Sequence, residues 1–290
     1  MNIDLENAKR SLLKLRRALK QLPPDPSAED VHALRTQTRR LEAIVEALTP
    51  EENKKTRQLM KSVIPVRKAA GEVRDMDVLV GNVLALPRTQ DNDDSLIRLV
   101  EHLGEMRIEG ARELHHTVAA NRKQARRSLK GYSKLVERNF PGKKGAIAQA
   151  GAAPAALAAE LAKWPRLNAE NIHDFRIKVK QLRYMLQLSR TSDEKLVEAL
   201  GKVKDEVGDW HDWQELGRIA GQVLDPRTDR NALEKIEEIE KSKFKQALAL
   251  ANAVRGQYFH AGLLPVHLNG RSNGLKTKRQ TRRSSPTPIR

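Results

Sequence analysis

The chain has 290 residues and carries 54 Lys and Arg against 37 Asp and Glu, a formal net charge of +17. It has no cysteine, which excludes a disulfide frame, a thiolate metal site and a cysteine nucleophile. Aromatic residues make up 3% against 39% hydrophobic residues, which suits a core of Leu, Val, Ile and Ala between helices better than a β-sandwich.

The opening "MNIDLENAKRSLLKLRRALK" carries charges at helical spacing and lacks the apolar run of a signal peptide. No stretch approaches the roughly 20 apolar residues of a membrane span. The reading is a soluble cytoplasmic protein with no membrane partner. Leu5, Ala8, Leu12, Leu15 and Leu19 predict a first helix over Asn2 to Gln21, ended by Pro23 and Pro24. Ser27 with Asp30 predicts a capping box and a helix to about Leu48. Thr49, Pro50 and Glu52 read as the start of a third helix to about Leu86, kinked or split at Pro65. A long helix follows, about Asp93 to Asn139. "PGKKGAIAQAGAAPAA" from Pro141 reads as a linker, about 141–153. Four further helices are predicted: Pro154 to Lys163, Asn168 to Ser189, one capped by Thr191 and Glu194 to about Val223, and one from Asp225-Pro226 to near Phe259. The expected organisation is all-α: a first half of about 1–140, the linker, and a second half of about 154–262. Residues 267–290 form a basic tail; from Asn269 it holds seven Lys and Arg and no acid, which predicts disorder. The body keeps 17 − 7 = +10, so an anionic partner is expected.

Two patterns occur twice. "VHALRTQTRRLEAIVEAL" from Val31 overlays "IHDFRIKVKQLRYMLQLS" from Ile172, at an offset of 173 − 32 = 141. "GEVRD" from Gly71 overlays "GDWHD" from Gly208, at an offset of 208 − 71 = 137. Two motifs keeping nearly one separation indicate internal duplication. Residues at i, i+3 and i+7 share a helix face. His32, Arg35 and Arg39 therefore make one stripe, and His173, Arg176 and Lys180 another, with Leu34, Leu41, Phe175 and Leu182 free to pack inward. Like charges on one face repel unless a polyanion lies across them, and arginine offers phosphate a planar fork.

These residues resemble the CHAD domain, the conserved histidine α-helical domain. The resemblance rests on His32/Arg35/Arg39-Arg40-Leu41, "GEVRDMDVL" from Gly71, "HDFRIKVKQLRYML" from His173 and "VGDWHDWQEL" from Val207, and places the domain at 1–266. It implies two four-helix bundles related by a pseudo-twofold axis and a basic channel between them that binds inorganic polyphosphate. Carried over residue by residue, His32, Arg35, Arg39 and Arg40 of the first half and His173, Arg176, Lys180 and Arg183 of the second would hold the anion. Arg67, Lys68, Arg74, Lys202, Lys204 and His211 flank the second motif as secondary candidates. The histidines are expected to gain charge beside the anion as pH falls from about 8 to 6. Asp75 and Asp212 are expected to hold arginines or helix ends. The run Arg122, Lys123, Arg126, Arg127, Lys130 belongs either to the channel or to a solvated face. This sequence departs from the family at Glu42, where a second basic residue is usual. Such a ligand would also allow association with polyphosphate granules.

Glu29/His32, Glu113/His116 and Glu170/His173 have the Glu-x-x-His spacing of metal-binding bundles, but Arg35 and Arg176 follow on the same faces and repel a cation. No P-loop or Gly-x-Ser-x-Gly occurs. The expectation is a binding module with no cofactor, no metal and no catalytic residue. Nucleic acid is the alternative partner; only Tyr184 lies among the basic motifs as a base platform, so weak, non-specific binding through the tail is expected. Truncation after His267 should then abolish most DNA binding at low salt, because counterion release dominates there. Polyphosphate binding near physiological salt should stay nearly intact, as read by fluorescence anisotropy. The reverse pattern would place the function in the tail.

Overall fold

Short polar side chains decide where the helices begin. The computed structural model describes residues 2–49, 53–89, 92–140, 147–149, 152–189 and 193–259. Among them are α1 (Leu5–Gln21), α2 (Ala28–Leu48), α3 (Lys54–Leu84), α4 (Asp93–Asn139), α5 (Ala153–Ala162), α6 (Ile172–Leu186), α7 (Glu194–Val223) and α8 (Arg230–Tyr258), with two short strands, β1 (Asn2–Asp4) and β2 (Ile147–Gln149). The Ser27/Asp30 capping box is formed. Asn53 opens α3, accepting from the backbone N–H of Lys55 and Thr56, each at 3.0 Å, and Asp193 opens α7 in the same way. Thr49 closes α2 instead, its hydroxyl 3.0 Å from the Val45 carbonyl. The Asn168 carboxamide ties up the N–H groups of Glu170 and Asn171, so α6 starts at Ile172. Asp225 does the same for Arg227 and Thr228, which delays α8. Pro50, Glu52, Thr191 and the tail lie outside the described residues. α3 runs unbroken through Pro65, whose missing N–H costs a single ladder bond.

The N-terminal residues are not helical, because Asp4 caps α1 and leaves Asn2 to Asp4 extended. They pair antiparallel with 147–149, inside the expected linker, Ile3 opposite Ala148. The Asp4 N–H also donates to the Leu188 carbonyl at 2.9 Å. Apart from this ribbon the described regular structure is helical.

In chain order α1, α2, α3 and α4 pack successively, as do α5, α6, α7 and α8; across them α2 lies on α6 and α3 on α7. The main apolar cluster draws on all eight helices, from Leu12 and Leu34 to Phe175, Val207 and Ala251, and is not a separate core in each set of four. A second cluster joins the far ends of the α3/α4 and α7/α8 hairpins through Leu79, Leu99, Leu216 and Ile236. Beside it Asp229, 3% exposed, accepts from the Ser95 hydroxyl at 2.7 Å and from the Arg98 guanidinium, and receives the Asp225 N–H at 2.8 Å. Asp229→Ala strands three donors at the junction of the hairpins and should cost about 2 kcal/mol. Thermal denaturation followed by circular dichroism should show a lower midpoint; an unchanged midpoint would mean the apolar cluster alone holds the tips.

Candidate anion-binding site

The packing of α2 on α6 brings the two stripes face to face. On α2, Val31, Leu34, Thr38 and Leu41 are buried, which leaves Arg35 and Arg39 half-buried at the seam. On α6, Ile172, Phe175, Val179 and Leu182 are buried, and Arg176 and Lys180 take the equivalent places. The cations feel one another. Lys180 is pushed down to about 7, first by burial and then by Arg176, Arg39, Arg35 and Lys204. Burial likewise lowers Arg176, against the pull of Asp212.

Each arginine has a distinct restraint. Arg35 reaches Asp75 on α3 at 3.3 Å. Arg39 and Arg67 share Glu42, at 3.1 and 2.7 Å. Arg176 donates from Nε to the Lys204 carbonyl at 3.0 Å, and Arg183 to the Val197 carbonyl at 3.4 Å. Both lie over glycines of α7. A Cβ at Gly208 would stand 2.4 Å from Nη2 of Arg176, and one at Gly201 would stand 3.2 Å from Nε of Arg183. The glycines therefore make niches into which the guanidinium groups fit.

The His173 and His211 rings meet edge to face with centroids 4.3 Å apart. Burial, then His211 and Arg176, drop the His173 pKa to about 4, so it stays neutral near pH 7. The Nδ1 atoms of both rings are buried and lack a partner among the described residues. Asp75 and Asp212 close the seam on α3 and α7. Burial raises both, Asp212 to about 6, against the opposing effect of Arg35 on the first and Arg176 on the second. Asp75 nonetheless keeps its carboxylate edge open to solvent.

Of the expected residues, the structure gathers Arg35, Arg39, Arg67, His173, Arg176, Lys180, Lys204 and His211 around this seam, with Arg183 at its edge. His32 is exposed at the head of α2, and Arg40 and Arg74 are half-buried. Lys68 is exposed, and Lys202 stands in solvent paired with Glu198 at 2.8 Å. These two stand apart from the seam. Beyond Arg39, Arg67 and Lys180 the seam widens into a groove of about 770 Å³ with an apolar wall of Met60, Ile64, Ile177 and Tyr184. The run from Arg122 to Lys130 lines a different groove, with Arg16 of α1. Among the described residues no cluster of His, Asp and Glu is arranged to hold a metal, and no helix is long and apolar enough to cross a membrane.

A sequence pattern for the CHAD domain matches residues 8–220. The chain belongs to the CHAD domain family. Its fold is similar to the crystal structure of the CHAD domain from the plant Ricinus communis, with a TM-score of 0.57 at 20% identity, over 87% of this chain and 89% of that one. No curated protein matches. The pattern ends within α7, and α8 packs on α7 beyond it in this CHAD chain.

The two glycine niches carry the part of this CHAD site that sequence reasoning missed. For Gly208 the signal was present, since both copies of the second motif begin with glycine; Gly201 lies outside the motif. Only the second-half copy is occupied, since nothing approaches within 4 Å of a Cβ built on Gly71. Gly208→Ala should therefore expel the Arg176 guanidinium and weaken anion binding about tenfold, equivalent to one charge-assisted contact. Gly71→Ala should leave binding unchanged and stabilise α3 by up to about 1 kcal/mol. Calorimetry and thermal melts on both variants check this; equal binding by the two would show that the niche does not position Arg176.

Proposed function

We propose that the protein binds inorganic polyphosphate in the seam between α2 and α6, as a binding module without catalytic chemistry. The observation that carries this reading is the gathering of cations at Lys180: burial first, and then Arg176, Arg39, Arg35 and Lys204 around it, bring its pKa down to about 7. A fold gains nothing from such crowding by itself. A polyanion threaded through the seam would reverse the repulsion and restore the lysine's charge. The imidazoles of His173 and His211 would add donors. The inorganic chain is favoured over nucleic acid because, among the described residues, Tyr184 is the one aromatic side chain lining the groove, and base stacking needs more than one such platform.

The same reading takes the seam as the axis of an internal duplication. Equivalent helices meet across it, α2 with α6 and α3 with α7, and the two motif pairs keep offsets of 141 and 137. Each half would then supply one wall of the channel.

The test is calorimetric titration with long-chain polyphosphate against single-stranded DNA at equal phosphate. Polyphosphate should bind more tightly, and Arg35→Ala/Arg176→Ala should weaken it by about 10²-fold or more at two charge-assisted contacts, with the fold retained. Normal binding by a variant that melts at a much lower temperature would make the stripes structural. The pH dependence separates the groups involved. The free protein holds Lys180 half-charged near pH 7, and the bound anion favours the charged form. Binding therefore takes up a proton above that pH. Affinity should fall as pH rises from about 7 to 9, by up to about tenfold per unit, and level off below 7. His173 titrates near 4 and contributes little between pH 6 and 8, so the lysine replaces this histidine as the pH-sensitive group. An affinity flat from pH 6 to 9 would remove Lys180 from the site.

A further inference from the structure

The sequence left open whether the basic run on the long helix belongs to the channel or to a solvated face; in the fold Arg122, Lys123, Arg127 and Lys130 are exposed, Arg126 is half-buried, and the run lines a groove apart from α2 and α6. Arg122, Lys123, Arg126, Arg127 and Lys130 of α4 face Arg16 of α1 across a groove of about 500 Å³, with Ala119 at one end. α2 and α6 supply none of its lining. We propose that this groove is a second oligophosphate site, separate from the seam.

Three observations carry the proposal. First, these cations are unpaired. On other helical surfaces some cations are matched with acids one turn away, as in Arg112 with Glu109, Arg218 with Glu215, Arg230 with Glu234 and Lys241 with Glu237. The six cations of the groove have no ion pair among the described residues, and no acid lines it. Like charges at i,i+4 destabilise a helix, so the arrangement is unfavourable until an anion covers it. Second, the Nε of Arg126 is buried and without a hydrogen-bond partner, so a donor has been withdrawn from water without compensation. Third, the lining has a direction. Arg122, Arg126 and Lys130 follow one another at i,i+4, about 6 Å apart along the axis, and Arg16 closes the opposite wall. A row of charges on a rigid helix fits a linear chain of phosphates better than a single compact anion.

The ligand class follows from the groove's own lining and does not depend on the seam. No aromatic side chain lines it to receive a base, and no apolar wall is present to receive an acyl chain. What remains is a repeated phosphate.

The experiment is calorimetry of the full chain with short inorganic polyphosphate at about physiological salt, where diffuse binding by the tail is suppressed. Four proteins are compared: wild type, Arg122→Gln/Arg126→Gln/Lys130→Gln, Arg35→Gln/Arg176→Gln, and the combination. The wild type should bind two chains. The α4 variant should lose one of them, with at least a tenfold weakening of that class, and should keep its thermal midpoint because none of its three residues has an internal ion partner. Arg16→Gln, on the opposite wall, should weaken the same class. The seam variant should lose the other class, and the combination both. An α4 variant with unchanged stoichiometry and affinity overturns the proposal. So does one that loses duplex DNA binding while polyphosphate binding stays whole, which would assign the groove to nucleic acid. If the α4 variant loses all polyphosphate binding and the seam variant none, the groove stands and the reading of the seam fails.

Discussion

The structure turns on cations that packing forces together. α2 and α6 must bury Leu34, Leu41, Phe175 and Leu182, and the helical period then sets Arg35, Arg39, Arg176 and Lys180 on the shared edge. Two unit charges at about 4 Å repel by roughly 4 kcal/mol at an effective dielectric near 20. The repulsion weakens with distance, but Arg35, Arg39 and Arg176 all act on Lys180, so the seam needs relief. Four forms of relief are visible: Asp75 on Arg35, Glu42 between Arg39 and Arg67, the Lys204 carbonyl on Arg176, and partial loss of the proton from Lys180. A ligand rich in negative charge competes with each of them, and displaces most easily the ones exposed to solvent.

The two halves reach this relief by different routes, and one pair of positions explains why. The offset of 141 places Arg183 opposite Glu42. In the second half Arg183 lies over Gly201 and donates to a backbone carbonyl, so the wall gains a cation held by a neutral group. In the first half Glu42 spends its carboxylate on two arginines. Gly208 and Gly71 differ likewise: one accepts a guanidinium and the other faces open space. The second-half guanidinium groups thus rest on carbonyls, with Asp212 acting on Arg176, and the first-half ones are bonded to carboxylates.

The helix order and the two stripes were legible in the sequence because both follow from spacing. Leu at three and four residue intervals, the Ser27/Asp30 box and the doubled His-x-x-Arg carry their consequence in one dimension. The exact helix starts were not legible. Asn53, Asn168 and Asp225 compete with the nominal caps through local side-chain bonds of similar strength, and only the surrounding packing decides between them. The ribbon of Ile3 with Ala148 was hidden for a stronger reason: it pairs residues far apart in the chain and short in themselves. The discharge of Lys180 also escaped, since it depends on how deeply α6 sits against α2. The acid at position 42 was visible as a departure, but its bridging of Arg39 and Arg67 needed the third helix in place.

The acids of the second motif bear on the proposed reading of this seam as a site of capture. Metal-assisted transfer relies on carboxylates that stay ionised and free to hold a cation beside the phosphates. Asp212 is raised to about 6 by burial and stands beside Arg176, and Asp75 is raised by burial and bonded to Arg35. A carboxylate already opposed by a guanidinium is a poor ligand for a second cation, and every arginine nearby raises the cost of placing a metal there. The same arginines lower the cost of placing a phosphate. On the proposed reading, His173 as a neutral donor and Lys180 recovering its charge on contact would favour attraction of a phosphate chain.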